Sequence, residues 1–173
     1  NPKGGTIQDL PAYARVQDTP AAPELAIVAV PAPAALQAVR DCAERGVRGV
    51  IVLSAGFAEA GPEGAALQAE LVGVVRRHGM RLLGPNCLGA VNVVDRLVGS
   101  FSIALEQSMP PAGEVGIVSQ SGNIGSFTMR SMADRGLGVS RFIATGNEAD
   151  VDVADGIAAL ARDAATRIIL CCM

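Results

Sequence analysis

Aromatic residues are nearly absent from this sequence, which has no tryptophan, one tyrosine and four phenylalanines among 173 residues. Aromatic side chains can therefore fill little of any core, although half of the residues are hydrophobic. Alanine, valine, leucine and glycine must form the core instead. This is typical of parallel α/β sheets, whose buried strands are near-continuous apolar runs. A chain of this length has room for one domain or two small ones.

Long basic runs and long apolar runs are absent as well. The formal net charge is −3, and no concentrated positive stretch exists that could bind a nucleic acid. The longest apolar runs, residues 25–30 and 168–173, are far too short to span a bilayer. No signal peptide is visible. The sequence therefore predicts no nucleic-acid partner and no association with a membrane.

Cysteine and histidine are too few, and wrongly spaced, for a metal site. The four cysteines, at positions 42, 87, 171 and 172, fit neither a zinc site nor a disulfide framework. We predict no metal site and a reduced, cytoplasmic setting. The single histidine, His78, ends a predicted amphipathic helix beside Gly79, where the helix dipole stabilises it. We therefore predict no catalytic residue within this chain.

Apolar strands alternate with helical patterns in two blocks. The first block is predicted to contain strand 25–30, helix 34–45, strand 50–53, helix 62–78 and strand 80–83. The second block is predicted to contain strand 115–118, helix 123–136, strand 139–144, helix 152–162 and strand 167–172. Short links between such elements indicate right-handed parallel crossovers. We predict an α/β protein with two Rossmann-like or flavodoxin-like parallel-sheet units in tandem.

The remaining segments are less regular. Residues 1–24 are loop-rich, residues 91–102 are predicted to form a hairpin or an edge strand, and residues 109–113 form a predicted linker. The chain starts in a loop that no strand precedes, and it stops at a strand that nothing follows. We therefore expect both units to be incomplete and the chain to be a piece of a longer protein.

Small, polar or Gly/Pro residues follow each of the first five predicted strands. They are Pro31-Ala32-Pro33, Ser54-Ala55-Gly56, Gly84-Pro85-Asn86-Cys87, Ser119-Gln120-Ser121-Gly122 and Thr145-Gly146-Asn147-Glu148. In open parallel sheets, ligands bind just beyond the carboxyl ends of the strands. Five such turns along one edge suit an extended ligand. The alternative is that turns are always made of these residues.

Residues 115–125 form the most informative stretch, because they predict a strand, a tight turn and the start of a helix. The first N–H groups of a helix have no partner inside it, and the helix dipole adds positive potential there. Ser119 and Ser121 add hydroxyl groups, and Gly122 permits a close approach of the backbone. This arrangement suits a phosphate or a carboxylate. The alternative is an ordinary helix cap.

Six motifs in this order resemble the NDP-forming acyl-CoA synthetases, which are relatives of the succinyl-CoA ligase alpha subunit. They are Asn1-Pro2-Lys3-Gly4-Gly5, Val30-Pro31-Ala32-Pro33, Leu53-Ser54-Ala55-Gly56-Phe57, Leu83-Gly84-Pro85-Asn86-Cys87-Leu88-Gly89, Val118-Ser119-Gln120-Ser121-Gly122 and Thr145-Gly146-Asn147-Glu148-Ala149-Asp150. The resemblance covers essentially the whole chain. It implies that residues 1–108 are the later part of a CoA-binding Rossmann-like domain. It also implies that residues 109–173 are the first part of a succinyl-CoA ligase-like flavodoxin-type domain.

The resemblance also implies roles for particular residues. The implied CoA-binding residues are Lys3, Val30, Pro31, Ser54, Asn86 and Cys87. The implied seat for phosphate or a phosphohistidine is Ser119, Ser121, Gly122 and Asn123, and Gly146 and Asn147 would lie near the acyl group. Considered without the resemblance, Lys3 is equally an ordinary surface lysine, and Cys87 is equally a small buried side chain.

The implied reaction makes an acyl-CoA from a carboxylic acid, CoA and ATP, with release of ADP and phosphate through a phosphohistidine. The family carries that histidine in a loop of Ser-His-Thr-Gly type, which His78 does not match. The chain therefore lacks the phosphate carrier. It also lacks the ATP-grasp part, or beta subunit, that would bind ATP and Mg²⁺. We expect small-molecule substrates and a homo- or hetero-oligomer. An alternative is a non-catalytic CoA- or nucleotide-sensing module of a protein lysine acetyltransferase.

Overall fold

The computed structural model describes residues 3–173, apart from the side chain of Gln107, so the first two residues of the N-terminal motif lie outside the described part. The described chain begins with a small antiparallel hairpin, β1 (Gly5–Ile7) and β2 (Leu10–Ala12). Its two turn residues, Gln8 and Asp9, both have positive φ angles, which suits a tight hairpin turn. The sequence predicted only loop here, because strands of three mostly exposed residues leave no periodic pattern.

The first unit is a parallel sheet of three strands with two helices. Its elements are β3 (Leu25–Val28), α1 (Ala32–Arg45), β4 (Gly49–Val52), α2 (Pro62–Arg77) and β5 (Arg81–Leu83). The strands lie in the order β3-β4-β5, with parallel pairing throughout, as predicted. Helix α1 begins two residues before the predicted start, because Pro33 is tolerated in a first turn that needs no N–H from it.

The helices of the first unit pack on one face of its sheet. Alternate residues of β4, Val50 and Val52, are buried against α1 and α2, together with Val39 and Leu71. The residue between them, Ile51, points to the opposite face, as the two-residue period of a strand requires.

The second unit is a five-stranded sheet that is mixed, not purely parallel. Its elements are β6 (Gly89–Asn92), β7 (Leu97–Ser100), the short α3 (Ala104–Gln107), β8 (Ala112–Ser119), α4 (Gly122–Asp134), β9 (Val139–Ala144), α5 (Val153–Arg162) and β10 (Ile168–Cys172). The strand order is β10-β8-β9-β6-β7. Strands β10, β8 and β9 are parallel, whereas β6 is antiparallel to both β9 and β7. The predicted hairpin or edge strand is therefore the β6–β7 hairpin, with β7 at the sheet edge.

The two faces of the second sheet are covered by different helices. Ile117 and Phe142 pack with Met129 of α4, whereas the next residue of β8, Val118, packs with Leu160 of α5. This double-sided cover is the reason why β8 is a nearly continuous apolar run in the sequence.

The β6–β7 hairpin joins the two units. Its backbone pairs with β9 of the second sheet, and β7 also lies against the back of the first sheet. A Cβ atom on Gly99 would lie 3.2 Å from Cδ1 of Ile51 and 3.4 Å from Cδ1 of Ile27. Hydrogen bonding thus places residues 89–100 in the second sheet. The predicted linker, residues 109–113, overlaps the start of β8, which begins at Ala112. The predicted domain boundary after residue 108 stays a prediction.

No helix within residues 3–173 is both long enough and apolar enough to cross a membrane.

Candidate functional site

A cleft of about 830 Å³ lies where the carboxyl ends of strands from both units meet. The turns after β4, β5, β8 and β9 contribute to it, which is the arrangement expected for parallel sheets. The predicted residues that line it are Asn86, Cys87, Ser121, Gly122, Asn123, Gly146 and Asn147. The structure therefore brings together residues that lie up to 61 positions apart in the chain.

The start of α4 forms one wall of this cleft. Ser121 is the N-cap, and its Oγ accepts a hydrogen bond from the N–H of Ile124 at 3.4 Å. Gly122 and Asn123 follow in the first turn, where N–H groups have no partner inside the helix. A side chain at Gly122 would collide with Leu88, since a Cβ atom there would lie 2.6 Å from Cγ of Leu88. This wall thus presents backbone donors and the positive end of the helix dipole.

Ser119 is placed differently from the other predicted phosphate residues. It is fully buried, and its hydroxyl donates a hydrogen bond of 2.7 Å to the carbonyl oxygen of Ser121. Its carbonyl oxygen accepts the N–H of Thr145 at 2.9 Å. Ser119 therefore shapes the turn and does not line the cleft.

Cys87 lies in the cleft wall but is almost entirely buried. Its thiol donates to the carbonyl oxygen of Val52 at 3.5 Å. Burial raises the pKa of Cys87 to about 11, against a smaller lowering by backbone hydrogen bonds. The thiol is therefore protonated at neutral pH, and the nucleophilic thiolate is scarce.

Asn147 connects the loops of the two units. Its Nδ2 donates to Gln68 at 2.9 Å and also to Glu59, while its Oδ1 accepts a hydrogen bond of 3.1 Å from Nδ2 of Asn86. Its neighbour Gly146 has a φ of +63°, and a Cβ atom there would lie 2.5 Å from the carbonyl oxygens of Pro85 and Asn86. Only glycine permits the two turns to approach this closely.

Glu59 is a cleft residue that the sequence did not single out. It follows β4 by seven positions, in a short 3-10 turn, and it is the only charged side chain among the described residues that line the cleft. Burial acts to raise the pKa of Glu59, but the amide of Asn147 and the N–H groups of Gly56 and Phe57 outweigh it, so the pKa is lowered. The sequence signal for Glu59 was an acidic residue shortly after a glycine turn. This signal is weak, because without knowledge of its partner Asn147 the residue resembles any surface glutamate.

An irregular segment, residues 147–151, is hydrogen-bonded to residues 82–85 and fixes one unit on the other. The N–H groups of Asn147, Ala149 and Val151 donate to the carbonyl oxygens of Pro85, Gly84 and Leu82 at 2.9, 3.2 and 3.1 Å. Three aspartates, Asp150, Asp152 and Asp155, lie within this segment or just after it, and their roles differ.

Of these aspartates, Asp152 is the N-cap of α5 and accepts the N–H of Asp155 at 2.8 Å. Asp150 instead accepts the backbone N–H of Leu82 at 2.8 Å and Nε of Arg81 at 2.9 Å. Asp155 pairs with the same guanidinium at 2.8 Å.

Four predicted CoA residues do not line this cleft. Ser54 and Val30 are nevertheless neighbours, because the Ser54 hydroxyl donates to the carbonyl oxygen of Val30 at 2.5 Å. Pro31 is the N-cap of α1. Lys3 is exposed in the turn before β1. His78 is exposed at the C-cap of α2 and is not part of the cleft lining.

Comparison with protein families identifies both halves of the chain. The family described as "CoA binding domain" matches residues 1–92, and the family described as "Succinyl-CoA ligase like flavodoxin domain" matches residues 112–173.

Curated relatives extend the match along nearly the whole chain. An ADP-forming acetate–CoA ligase I of Archaeoglobus fulgidus is 39% identical over 98% of this chain and 24% of its own length. A trans-feruloyl-CoA synthase from an unknown prokaryotic organism has the same identity and coverage. The alpha subunit of an ADP-forming acetate–CoA ligase II of Pyrococcus furiosus is 38% identical over 86% of this chain. The chain spans about a quarter to a third of the length of these relatives.

Solved structures agree with the fold. The dinucleotide-forming acetyl-coenzyme A synthetase 1 of Ca. Korarchaeum cryptofilum, in complex with phosphate and ADP, superposes with a TM-score of 0.91 at 32% identity. It covers 99% of this chain, which covers 36% of that structure. An ATP citrate lyase from Methanothrix soehngenii, at 18% identity and a TM-score of 0.72, shares the fold. The chain therefore belongs to the CoA binding domain family, and residues 112–173, after that domain, match the succinyl-CoA ligase like flavodoxin domain.

Proposed function

We propose that the complete protein carrying this chain is an ADP-forming acid–thiol ligase, in which this chain binds CoA and receives a phosphoryl group. One observation carries the proposal: turns from a CoA binding domain and the N-terminus of α4 share one cleft. A ligase of this type must bring the thiol, the acyl group and the phosphoryl group to the same place.

The chemistry of the cleft fits the neutral arm of CoA better than its phosphates. The lining offers side-chain amides, including those of Asn86, Asn123 and Gln120, and Glu59 is the one charged residue among the described residues of the lining. Amides match the amide groups of the pantetheine arm, and none of the described lining residues is a cation that could pair with the phosphates of CoA. In this proposal Asn86 and Cys87 lie beside the thiol end.

The phosphate groups of CoA belong, in this proposal, on the first unit outside the cleft. Lys3, Val30, Pro31 and Ser54 are the residues proposed for the adenosine end. Bound CoA supplies a thiol as nucleophile, and the buried, protonated Cys87 does not compete for that role.

The phosphoryl seat is proposed at the start of α4. Ser121, Gly122 and Asn123 would hold the group with unpaired N–H donors, the Ser121 hydroxyl and the helix dipole. Ser119 supports the seat by holding the carbonyl oxygen of Ser121. Gly146 and Asn147 face the same space and are proposed to lie beside the acid.

The remaining parts of the reaction are assigned to other parts of the protein. We propose that a histidine outside this chain carries the phosphoryl group. An ATP-grasp part, or a beta subunit, would bind ATP and Mg²⁺. An alpha subunit named among the relatives supports an oligomeric assembly acting on small molecules, which we place in the cytoplasm. Neither the relatives nor the structural neighbours described above support the acetyltransferase-module alternative, and we do not propose it.

The experiment is single-turnover phosphorylation of the complete protein with labelled ATP. Ser121→Ala removes one hydroxyl from the seat, and we expect phosphoenzyme formation to slow about tenfold or more, as for a lost charge-assisted hydrogen bond. The matched control is Ser108→Ala, at an exposed serine beyond α3. Equal rates in Ser121→Ala and Ser108→Ala would remove this role from Ser121. A protein that forms no thioester from any acid, CoA and ATP would refute the ligase assignment.

A further inference from the structure

A second cavity, of about 460 Å³, opens beside the cleft between α4 and the segment that follows β7. Leu88, Phe101 and Asn123 line both spaces, so the second is a side chamber of the first. Its remaining lining residues are Ile103, Ala104, Ser126, Phe127 and Arg130. We call this space the side chamber.

The side chamber holds half of the phenylalanines in a chain that has only four. Phe57 and Phe142 are fully buried in the two cores, but Phe101 and Phe127 are 58% and 73% exposed. Ile103, at 75%, is exposed next to them. Large apolar side chains grouped around a concave space mark a binding site for an apolar group.

The walls of the side chamber are fixed to one another. The buried hydroxyls of Ser102 and Ser126 are hydrogen-bonded and tie the segment after β7 to α4. The Oγ of Ser102 also accepts the N–H of Ala104 at 3.3 Å. The segment after β7 and α4 are thus held together by contacts within the chain, which lowers the entropic cost of ordering these two walls around a ligand.

The charge at the chamber is already neutralised. Arg130 is the only charged residue among the described lining residues, and its guanidinium pairs with Asp134 at 2.8 Å one helical turn away. If a dicarboxylic acid placed its second carboxylate in the chamber, that carboxylate would meet no unpaired cation among the described lining residues, and it would lose its hydration against phenyl rings.

We propose that the side chamber takes the acyl group of the acid substrate and selects monocarboxylic acids with a ring or a branched apolar chain. This rests on the proposed ligase function. With the carboxyl group at the start of α4, the apolar remainder passes Asn123 into the chamber. A cavity of about 150 Å³ already holds benzene, so the space of about 460 Å³ accepts a substituted ring. Acetate leaves the chamber empty, and succinate brings in an unpaired charge.

The test is the rate of thioester formation by the complete protein with phenylacetate, acetate and succinate. We expect kcat/KM for phenylacetate to exceed that for acetate about tenfold or more, as for an acyl group that fills an apolar pocket. We expect succinate to be the poorest of the three.

Two variants probe the chamber in opposite ways. Ala104→Phe fills it, and Phe127→Ala removes one wall. Each should lower the phenylacetate-to-acetate ratio of kcat/KM about tenfold. The control is Leu137→Ala, because Leu137 is 50% exposed beyond the far end of α4 and should leave the ratio unchanged. Direct binding of phenylacetate, measured by calorimetry, should be lost in Ala104→Phe.

The outcomes separate this inference from the proposed function. If no acid is converted but phenylacetate binds and Ala104→Phe abolishes binding, the chamber assignment stands and the ligase assignment fails. If acetate is preferred over phenylacetate, the chamber assignment is overturned. It is also overturned if the chamber variants slow all acids equally, which indicates that these phenylalanines pack against another part of the protein.

Discussion

Asp150 holds the two units together, and its removal should loosen the contact between them. Its Oδ2 accepts the backbone N–H of Leu82 at 2.8 Å and Nε of Arg81 at 2.9 Å. Its side chain is only 18% exposed, whereas the Arg81 side chain is 58% exposed. The N–H of Leu82 would therefore be left without its partner in a partly buried place.

The size of the effect follows from these two contacts. An unsatisfied, partly buried N–H costs about 1–3 kcal/mol. A surface ion pair adds about 0–1 kcal/mol. We expect Asp150→Ala to destabilise the contact by about 2–3 kcal/mol. Asp150→Asn should cost about 1 kcal/mol, because the amide oxygen still accepts the N–H of Leu82.

Asp155→Ala is the matched control, since Asp155 pairs with the same arginine but is 48% exposed and bonds no backbone group of β5. We expect it to cost less than about 1 kcal/mol.

Hydrogen–deuterium exchange followed by mass spectrometry measures the difference locally. A loss of about 2 kcal/mol corresponds to roughly thirtyfold faster exchange. The effect should appear in peptides that cover residues 80–85 and 147–151. Equal acceleration in Asp150→Ala and Asp155→Ala would show that the exposed ion pair, and not the backbone hydrogen bond, joins the units. No acceleration in Asp150→Ala would refute the reasoning altogether.

Three further predictions concern the cleft. Gly146→Ala should lower the free energy of unfolding, measured by urea titration, by about 2–4 kcal/mol, because the added Cβ would collide with backbone oxygens. Gly79→Ala is the control: this glycine also has a positive φ but has open space around it, so the change should cost only about 1 kcal/mol. Iodoacetamide at pH 8 should label exposed Cys171 well before buried Cys87, whose thiol is protonated; equally fast labelling in peptide maps would contradict this. The pKa of Glu59 is lowered from its ordinary value of 4.5, so its stabilising contribution is complete above pH 4.5 and is lost as the pH falls through the folded value. The Tm of Glu59→Gln should therefore fall less steeply than that of the wild type between pH 5 and 3, and parallel curves would exclude this role.

The elements were largely predictable because their signals are local. The strands of the first unit and the helices of both units were predicted to within a few residues, as periodic patterns and turn residues allow. The β1–β2 hairpin was missed, because its three-residue strands are too short for a pattern. The mixed character of the second sheet was not predicted either. The pairing of β6 with β9 joins residues about 50 positions apart, and no local pattern records such a pairing.

The candidate site was predictable where it is made of strand ends. Asn86, Ser121 and Asn147 follow different strands, and parallel strands carry their ends to one edge. Glu59 was not predicted, because its role depends on Asn147, which is 88 positions away. Ser119 was expected to lie beside the phosphate, but it is buried beneath the turn and does not line the cleft. The sequence alone does not distinguish a buried serine from an exposed one.

By itself, the sequence determined the alternation of strands and helices, the small turns at the strand ends and the order of the family motifs. These features depend on residues that are close along the chain, where steric preference and apolar period act directly. Only the tertiary structure decided that the turns of two units face one cleft, that Asp150 fastens one unit to the other, and that two phenylalanines stand exposed around a side chamber. Those outcomes depend on contacts between residues far apart in the chain, which form only when both sheets are packed together.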